Sequence, residues 1–139
     1  MSDRSLGRLG VLSLAAIVVL VDQLSKHWMA SALADGGTIK AVPGLLDFRL
    51  VFNTGAAFSF LASAGGWQRW FLTAVAVAVS VVVVIWLTRL KQSEQILGVA
   101  LGLVLGGGVG NLIDRVSLGY VVDFISWHYN DWYWPAFNI

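Results

Sequence analysis

From Trp70 to Leu87 the chain carries no charged residue, and valine and alanine dominate the run. A helix that crosses a bilayer needs roughly 20 such residues, and it satisfies all of its own backbone polar groups there. Two further segments read the same way. One runs from about Leu6 to Val21 and continues past Asp22 towards Met29, and the other runs from about Ile96 to Ile113 and is rich in Gly and Leu. Composition agrees: 58% of the residues are hydrophobic and only 12% are charged, whereas soluble domains are about a quarter charged. The expected fold is an all-α integral membrane protein, one domain over residues 1–139, with spans at about 6–28, 68–88 and 96–113.

A net charge of +1 with no basic cluster excludes nucleic acid as a partner. There is no cysteine, which removes disulfides and thiolate chemistry. His27 and His128 match no metal-ligand spacing, so neither metal nor cofactor is expected. Arg4, Arg8 and Ala30-Ser31-Ala32 imitate a secretory signal peptide. The apolar helix continues through Asp22, Gln23 and Lys26 before that triplet, however, and two more spans follow it.

Positive charge sets the orientation. Arg4 and Arg8 precede the first span, and Arg89 and Lys91 lie between the second and third, which puts both groups on the cytoplasmic side. The connection from about Ala30 to Arg69, and everything after the third span, then faces outward. Gly36-Gly37, Pro43-Gly44 and Gly65-Gly66 punctuate that connection. Between them Phe48, Leu50 and Phe52 alternate with Arg49 and Val51, which predicts a small extracytoplasmic β-element over about 40–60. The rings of Trp127, Tyr129, Trp132, Tyr133, Trp134 and Phe137 suit an interfacial belt or, in addition, a lipid-substrate platform. Gly102, Gly106 and Gly110 form a stripe for close helix packing; no Lys-Ser or Lys-Thr follows the glycines to make a phosphate loop.

Carboxylates in such a chain are costly and call for a task. Asn111, Asp114 and Arg115 share a helix face. They either form a polar network or serve local backbone groups where the third span ends, with Arg115 snorkelling outward. Asp123 stands among Val121, Val122, Phe124 and Ile125, where desolvation raises a carboxyl pKa. Taken alone it reads as a cap or turn residue. With a second carboxyl in contact, the two share a proton: one deprotonates a water and the other protonates the carbonyl oxygen or leaving group, with no metal or cofactor.

Five motifs occur in order: Asp22-Gln23-Leu24-Ser25-Lys26, Asn53-Thr54-Gly55-Ala56-Ala57-Phe58, Gly110-Asn111-Leu112-Ile113-Asp114-Arg115, Val121-Val122-Asp123-Phe124 and Pro135-Ala136-Phe137-Asn138. In this the chain resembles lipoprotein signal peptidases, the signal peptidase II family. The resemblance implies a multi-pass aspartic endopeptidase of the bacterial inner membrane with four transmembrane helices and an active site near the outer face. Its substrates are prolipoproteins, cut just before a lipid-modified cysteine, and its surroundings are membrane lipids. It implies that Asp123 is one member of the catalytic pair. Asn111, Asp114, Arg115 and Asn138 line and support the site, Asn53 falls in the segment associated with holding the substrate or its peptide backbone, and Asp22 and Lys26 form a structural pair whose spacing suits an ion pair.

The family's last motif is Phe-Asn-x-Ala-Asp, whose Asp is the second catalytic carboxyl and precedes the fourth helix. Here the residues run Phe137-Asn138-Ile139. The sequence is therefore read as a truncated piece of a normal enzyme or as a natural short form. As it stands it is expected to be inactive, and a form that only binds prolipoprotein or lipid is the alternative. Asp114 is an unsuitable substitute for the second acid, because Arg115 beside it favours an ionised carboxylate. A proton relay through Asp22, Asp114 and Asp123 in a small transporter is a third reading. Their position at the outer ends of the spans, away from mid-membrane, counts against it.

Overall fold

A computed structural model describes residues 7–56, 61, 65–91 and 93–139. Arg4, the expected first-span start at Leu6, the Ala57-Phe58 end of the second motif and the expected β-element limit near residue 60 lie outside the described residues. The elements are α1 (Arg8–Ala32), β1 (Ile39–Val42), β2 (Leu46–Asn53), α2 (Trp67–Arg89), α3 (Gln95–Ser117), β3 (Val121–Tyr129) and β4 (Trp132–Tyr133).

All three helices are long and apolar enough to cross a membrane. The chain is an integral membrane protein, and its outward surface is what such a protein needs: Ile17, Leu20, Leu24, Val79 and Val82 are exposed. Helix α3 packs against both α1 and α2. The apolar centre of the bundle is Val11, Ala15, Val83, Leu87, Leu101 and Leu105. The glycine stripe faces α1. A Cβ on Gly102 would lie 3.1 Å from the Val11 carbonyl oxygen, and one on Gly106 would lie 2.8 Å from that of Ala15. One on Gly110 would run into the Asp22 carboxylate. Side chains there would push the two backbones apart, and close approach is the main source of helix affinity in lipid.

Helices α1 and α3 reach beyond their expected ends at 28 and 113, to Ala32 and Ser117. Asp114 and Arg115, beyond the expected span, therefore stand with Asn111 on the last turns of α3, which puts the three on one helix as their shared face required. At that end of the bundle lies an antiparallel sheet in the order β1-β2-β3-β4. Strand β2 forms where alternation was read at Phe48 to Phe52, but its burial does not alternate: Phe48, Arg49, Leu50 and Val51 are all half-buried and Phe52 is exposed. Its pairing with β3 puts Val51 opposite Asp123 and Asn53 opposite Val121, with an irregularity between Phe48 and Val51. Gly44 makes the β1–β2 turn at φ 78, a conformation that suits glycine. Met29 of α1 and Leu33 just after its end pack with Phe124, and Phe48, Leu50 and Ile125 cover them, which fixes the sheet on the helix end.

The sheet is larger than the expected β-element. Strand β3 was not foreseen, because its first four residues are all buried and show no alternation of polar and apolar. A strand covered on both faces reads as a continuous apolar run, which periodicity cannot tell from helix or turn. The aromatic tail folds with it. Trp127 and Tyr129 end β3, and Trp132 and Tyr133 form β4, with most of these rings exposed. The last residues return to β3: Phe137 N donates to Ile125 O at 3.0 Å, and Ile125 N donates to Phe137 O at 2.9 Å.

Candidate active site

Asp123 lies inside β3, not at a cap or turn, and is 5% exposed. Each carboxylate oxygen receives an amide N–H. Asn53 Nδ2 donates to Oδ2 at 3.2 Å and Asn138 Nδ2 donates to Oδ1 at 2.7 Å. Burial raises the pKa of Asp123 above the usual carboxylate value; the two amide donors and the positive charges of Lys26 and Arg115 offset part of that. Asp123, Asn53, Asn111, Arg115 and Asn138 line a cavity of about 240 Å³.

Asn53 ends β2 and turns its side chain back on the chain that follows. Its Oδ1 accepts Gly55 N at 2.9 Å, and its Nδ2 also donates to Ala56 O at 3.2 Å. Arg115 does not snorkel outward. Its Nη2 donates to Gly55 O at 3.2 Å, and its Nη1 reaches its own helix at Asn111 O at 3.5 Å. The guanidinium thus braces the segment after Asn53 against α3, within reach of Asp123 by charge.

A second polar cluster sits just below, between α1 and α3. Lys26 Nζ is 2.8 Å from Asp22 Oδ2 and 2.9 Å from Asp114 Oδ2, and all three residues are buried. The expected i,i+4 pair is therefore present, and it is a triad. Gln23 Nε2 donates to Asp22 Oδ2 (3.0 Å), Asp114 Oδ1 (2.9 Å) and Gly110 O (3.2 Å). Asp114 also accepts Val122 N at 3.1 Å, so one carboxylate ties α1, α3 and β3 together. The partner expected for Asp114 from sequence was Arg115. The structure assigns that partner to Lys26, because successive helix residues point about 100° apart and Arg115 faces the chain after Asn53.

All of the sequence-predicted site residues converge at this end of the bundle. Sequence reading missed two contributors, Gln23 and Arg69. Arg69, near the start of α2, donates through Nε to Arg115 O at 2.8 Å and through Nη2 to Val116 O at 2.7 Å. It closes off unpaired carbonyls at the end of α3, next to Gly119, whose φ is 91. A lone cation at the start of an apolar helix carries no sequence signal for a partner so far along the chain. Among the described residues, no group of three or more His, Asp or Glu is placed to hold a metal ion.

A sequence profile described as signal peptidase (SPase) II matches residues 14–139. A lipoprotein signal peptidase from Pseudomonas syringae pv. tomato is 51% identical over 140 residues, covering 100% of this chain and 81% of that protein. One from Cellvibrio japonicus is 55% identical over 125 residues, covering 90% of this chain and 73% of that protein. Two solved structures share the fold, both described as bacterial membrane enzyme structures obtained by the in meso method. One superposes with a TM-score of 0.80 at 30% identity, over 92% of this chain and 76% of that one. The other gives a TM-score of 0.75 at 29% identity, over 92% of this chain and 80% of that one.

Proposed function

The chain belongs to the signal peptidase II family, and we propose that Asp123 is the carboxylate through which it works. The protein is a membrane aspartic endopeptidase that removes signal peptides from prolipoproteins. Its site belongs near the outer face of the bacterial inner membrane. Arg8 and Lys91 border one cavity at the end of the bundle opposite the sheet, and positive charge favours the cytoplasmic side for that end.

The observation that carries this reading is the 2.7 Å hydrogen bond from Asn138 to Asp123 in a polar cavity at the top of the spans. Resemblance to the family places its second catalytic aspartate three positions beyond Asn138. Three extended residues span at most about 11 Å, and Asn138 already touches Asp123. A carboxyl at that position lies within reach of sharing a proton with Asp123 across one water. The raised pKa of Asp123 suits such a pair, because two carboxyls in contact cannot both ionise.

In this mechanism the ionised member takes a proton from the water, whose oxygen attacks the scissile carbonyl carbon. The protonated member gives its proton to the carbonyl oxygen and later helps to protonate the leaving amine. Asn53 and Asn138 hold the Asp123 oxygens in place. Arg115, through Gly55, holds the segment after Asn53 where an extended substrate backbone would lie. The acyl chains of a lipid-modified cysteine would rest in the bilayer beside the helices, four in the complete family fold.

The test is Asp123→Asn in a chain continued through the family's Phe-Asn-x-Ala-Asp motif, assayed on lipid-modified prolipoprotein. Loss of cleavage with normal membrane insertion is expected. Normal cleavage by that variant would remove Asp123 from the mechanism.

A further inference from the structure

The ion pairs of Lys26 explain how its charge is tolerated in an apolar bundle, but they leave one of its contacts unexplained. Lys26 Nζ also donates to Asn111 Oδ1 at 2.9 Å. The same oxygen accepts Asn138 Nδ2 at 3.2 Å, and that nitrogen is the one 2.7 Å from Asp123 Oδ1. A primary amide has two ends of nearly equal shape, an oxygen that only accepts and a nitrogen that only donates. An ammonium has donors alone, so Asn111 must turn its oxygen to Lys26. That oxygen admits only a donor from Asn138, so Asn138 must present its NH2. The Val122 carbonyl favours the same orientation over a longer contact of 3.3 Å.

We propose that Lys26 is a positioning residue for Asp123: it sets the orientation of Asn111 and, through it, of Asn138, so that Asp123 Oδ1 meets an N–H and not a carbonyl. The inference deepens the reading of Asp123 as the working acid and rests on it. The two oxygens of Asp123 make an internal comparison. The amide on Oδ2, from Asn53, is oriented locally by the backbone N–H of Gly55. The amide on Oδ1 is oriented from another helix, by a buried charge. A carbonyl at Oδ1 would require a proton on that oxygen and fix it there, away from the water. An N–H leaves Oδ1 free to be ionised and lets the proton move between the pair.

The charged groups that act on Asp123 are Lys26 from α1 and Arg115 from α3, with the amides of Asn53 from β2 and Asn138 from the tail; Asp114 stands behind Lys26. Asn138 holds the Asp123 pKa down, so a relaxed amide lets it rise. The experiment is a titration of the Asp123 side-chain carbon by 13C NMR, for wild type, Lys26→Gln, Lys26→Arg and Asn111→Ala. The glutamine can donate or accept and no longer dictates direction, whereas the arginine has only donors. Asn111→Ala, which keeps the charge of Lys26, is expected to move the midpoint up by roughly half a pH unit or more; Lys26→Gln moves it further, because it also removes a charge that lowers the Asp123 pKa, and Lys26→Arg keeps the wild-type midpoint. In the chain continued through the family motif, the pH profile of cleavage moves the same way, with kcat falling more than KM changes.

Asn111→Ala leaves both Lys26 ion pairs in place, so it carries the test even where Lys26→Gln does not fold. A midpoint unchanged in Asn111→Ala overturns the proposal and leaves Lys26 acting on Asp123 by its charge alone. Failure of the underlying reading is separable. Normal cleavage by Asp123→Asn removes the catalytic role of that acid, while the titration still reports whether Lys26 acts on it.

Discussion

Asp114 and Asp123 are both buried aspartates at the sheet-bearing end of the same bundle, yet they are solvated in opposite ways. Asp114 is saturated. It takes an ammonium, a glutamine amide and a backbone N–H, and it faces three elements at once. Asp123 takes two neutral amides and keeps one side open to a cavity. A carboxylate locked by a cation has nothing left to offer a substrate. One held only by amides keeps its capacity to exchange a proton. The difference lies in partner type, not in burial, and on the mechanism proposed above it is what separates a structural acid from a working one.

The comparison breaks most sharply at the acids themselves. Asp123→Asn is expected to lower cleavage by roughly a thousandfold or more, as removal of a general acid–base group does, with little change in unfolding temperature. Asp114→Ala should act the other way round. It removes one of the two carboxylates that pair with the buried Lys26 ammonium and costs about 3–5 kcal/mol of stability, read as reduced folded yield or a lowered unfolding temperature in detergent. Equal stability loss in the two variants would erase the distinction.

Smaller effects sharpen it. Gly110→Ala drives a methyl group into the Asp22 carboxylate and should cost about 1–3 kcal/mol, with the α1–α3 contact loosened. Arg69→Ala should cost about 1–2 kcal/mol by freeing the last carbonyls of α3, and it should lower activity through a misplaced Arg115. The smallest signal is in pH. Because burial raises the pKa of Asp123, the folded chain holds a proton that the unfolded chain has already released. Stability therefore falls as pH rises from the usual carboxylate value through the raised one, and Asp123→Asn flattens that slope. A slope unchanged in the variant would assign it to another group.

The spans, the glycine stripe and strand β2 were legible in the sequence, because each carries a local signal: apolar length, spacing of small residues, alternation. The Asp22–Lys26 pair was legible for the same reason. What was not legible depends on contacts between distant segments. Strand β3 hides its period because both of its faces are covered. The partner of Asp114 looked like its neighbour Arg115, since sequence shows adjacency and not direction. Gln23, through Gly110 and Asp114, and Arg69, through Arg115 and Val116, act across helices.

The bare face of α3 has a consequence beyond adhesion. With glycine at its contacts, α1 seats directly on the α3 backbone, and Val11, Val18 and Asp22 each fit where a side chain is absent. A slip of one residue would raise α1 by about 1.5 Å and turn it by about 100°, which would drive those groups into the neighbouring helix. The lower contacts therefore act as a depth gauge. They set the height at which the lysine meets its asparagine several turns above, so the alignment of the polar site is calibrated in the hydrocarbon interior, well away from any reacting atom.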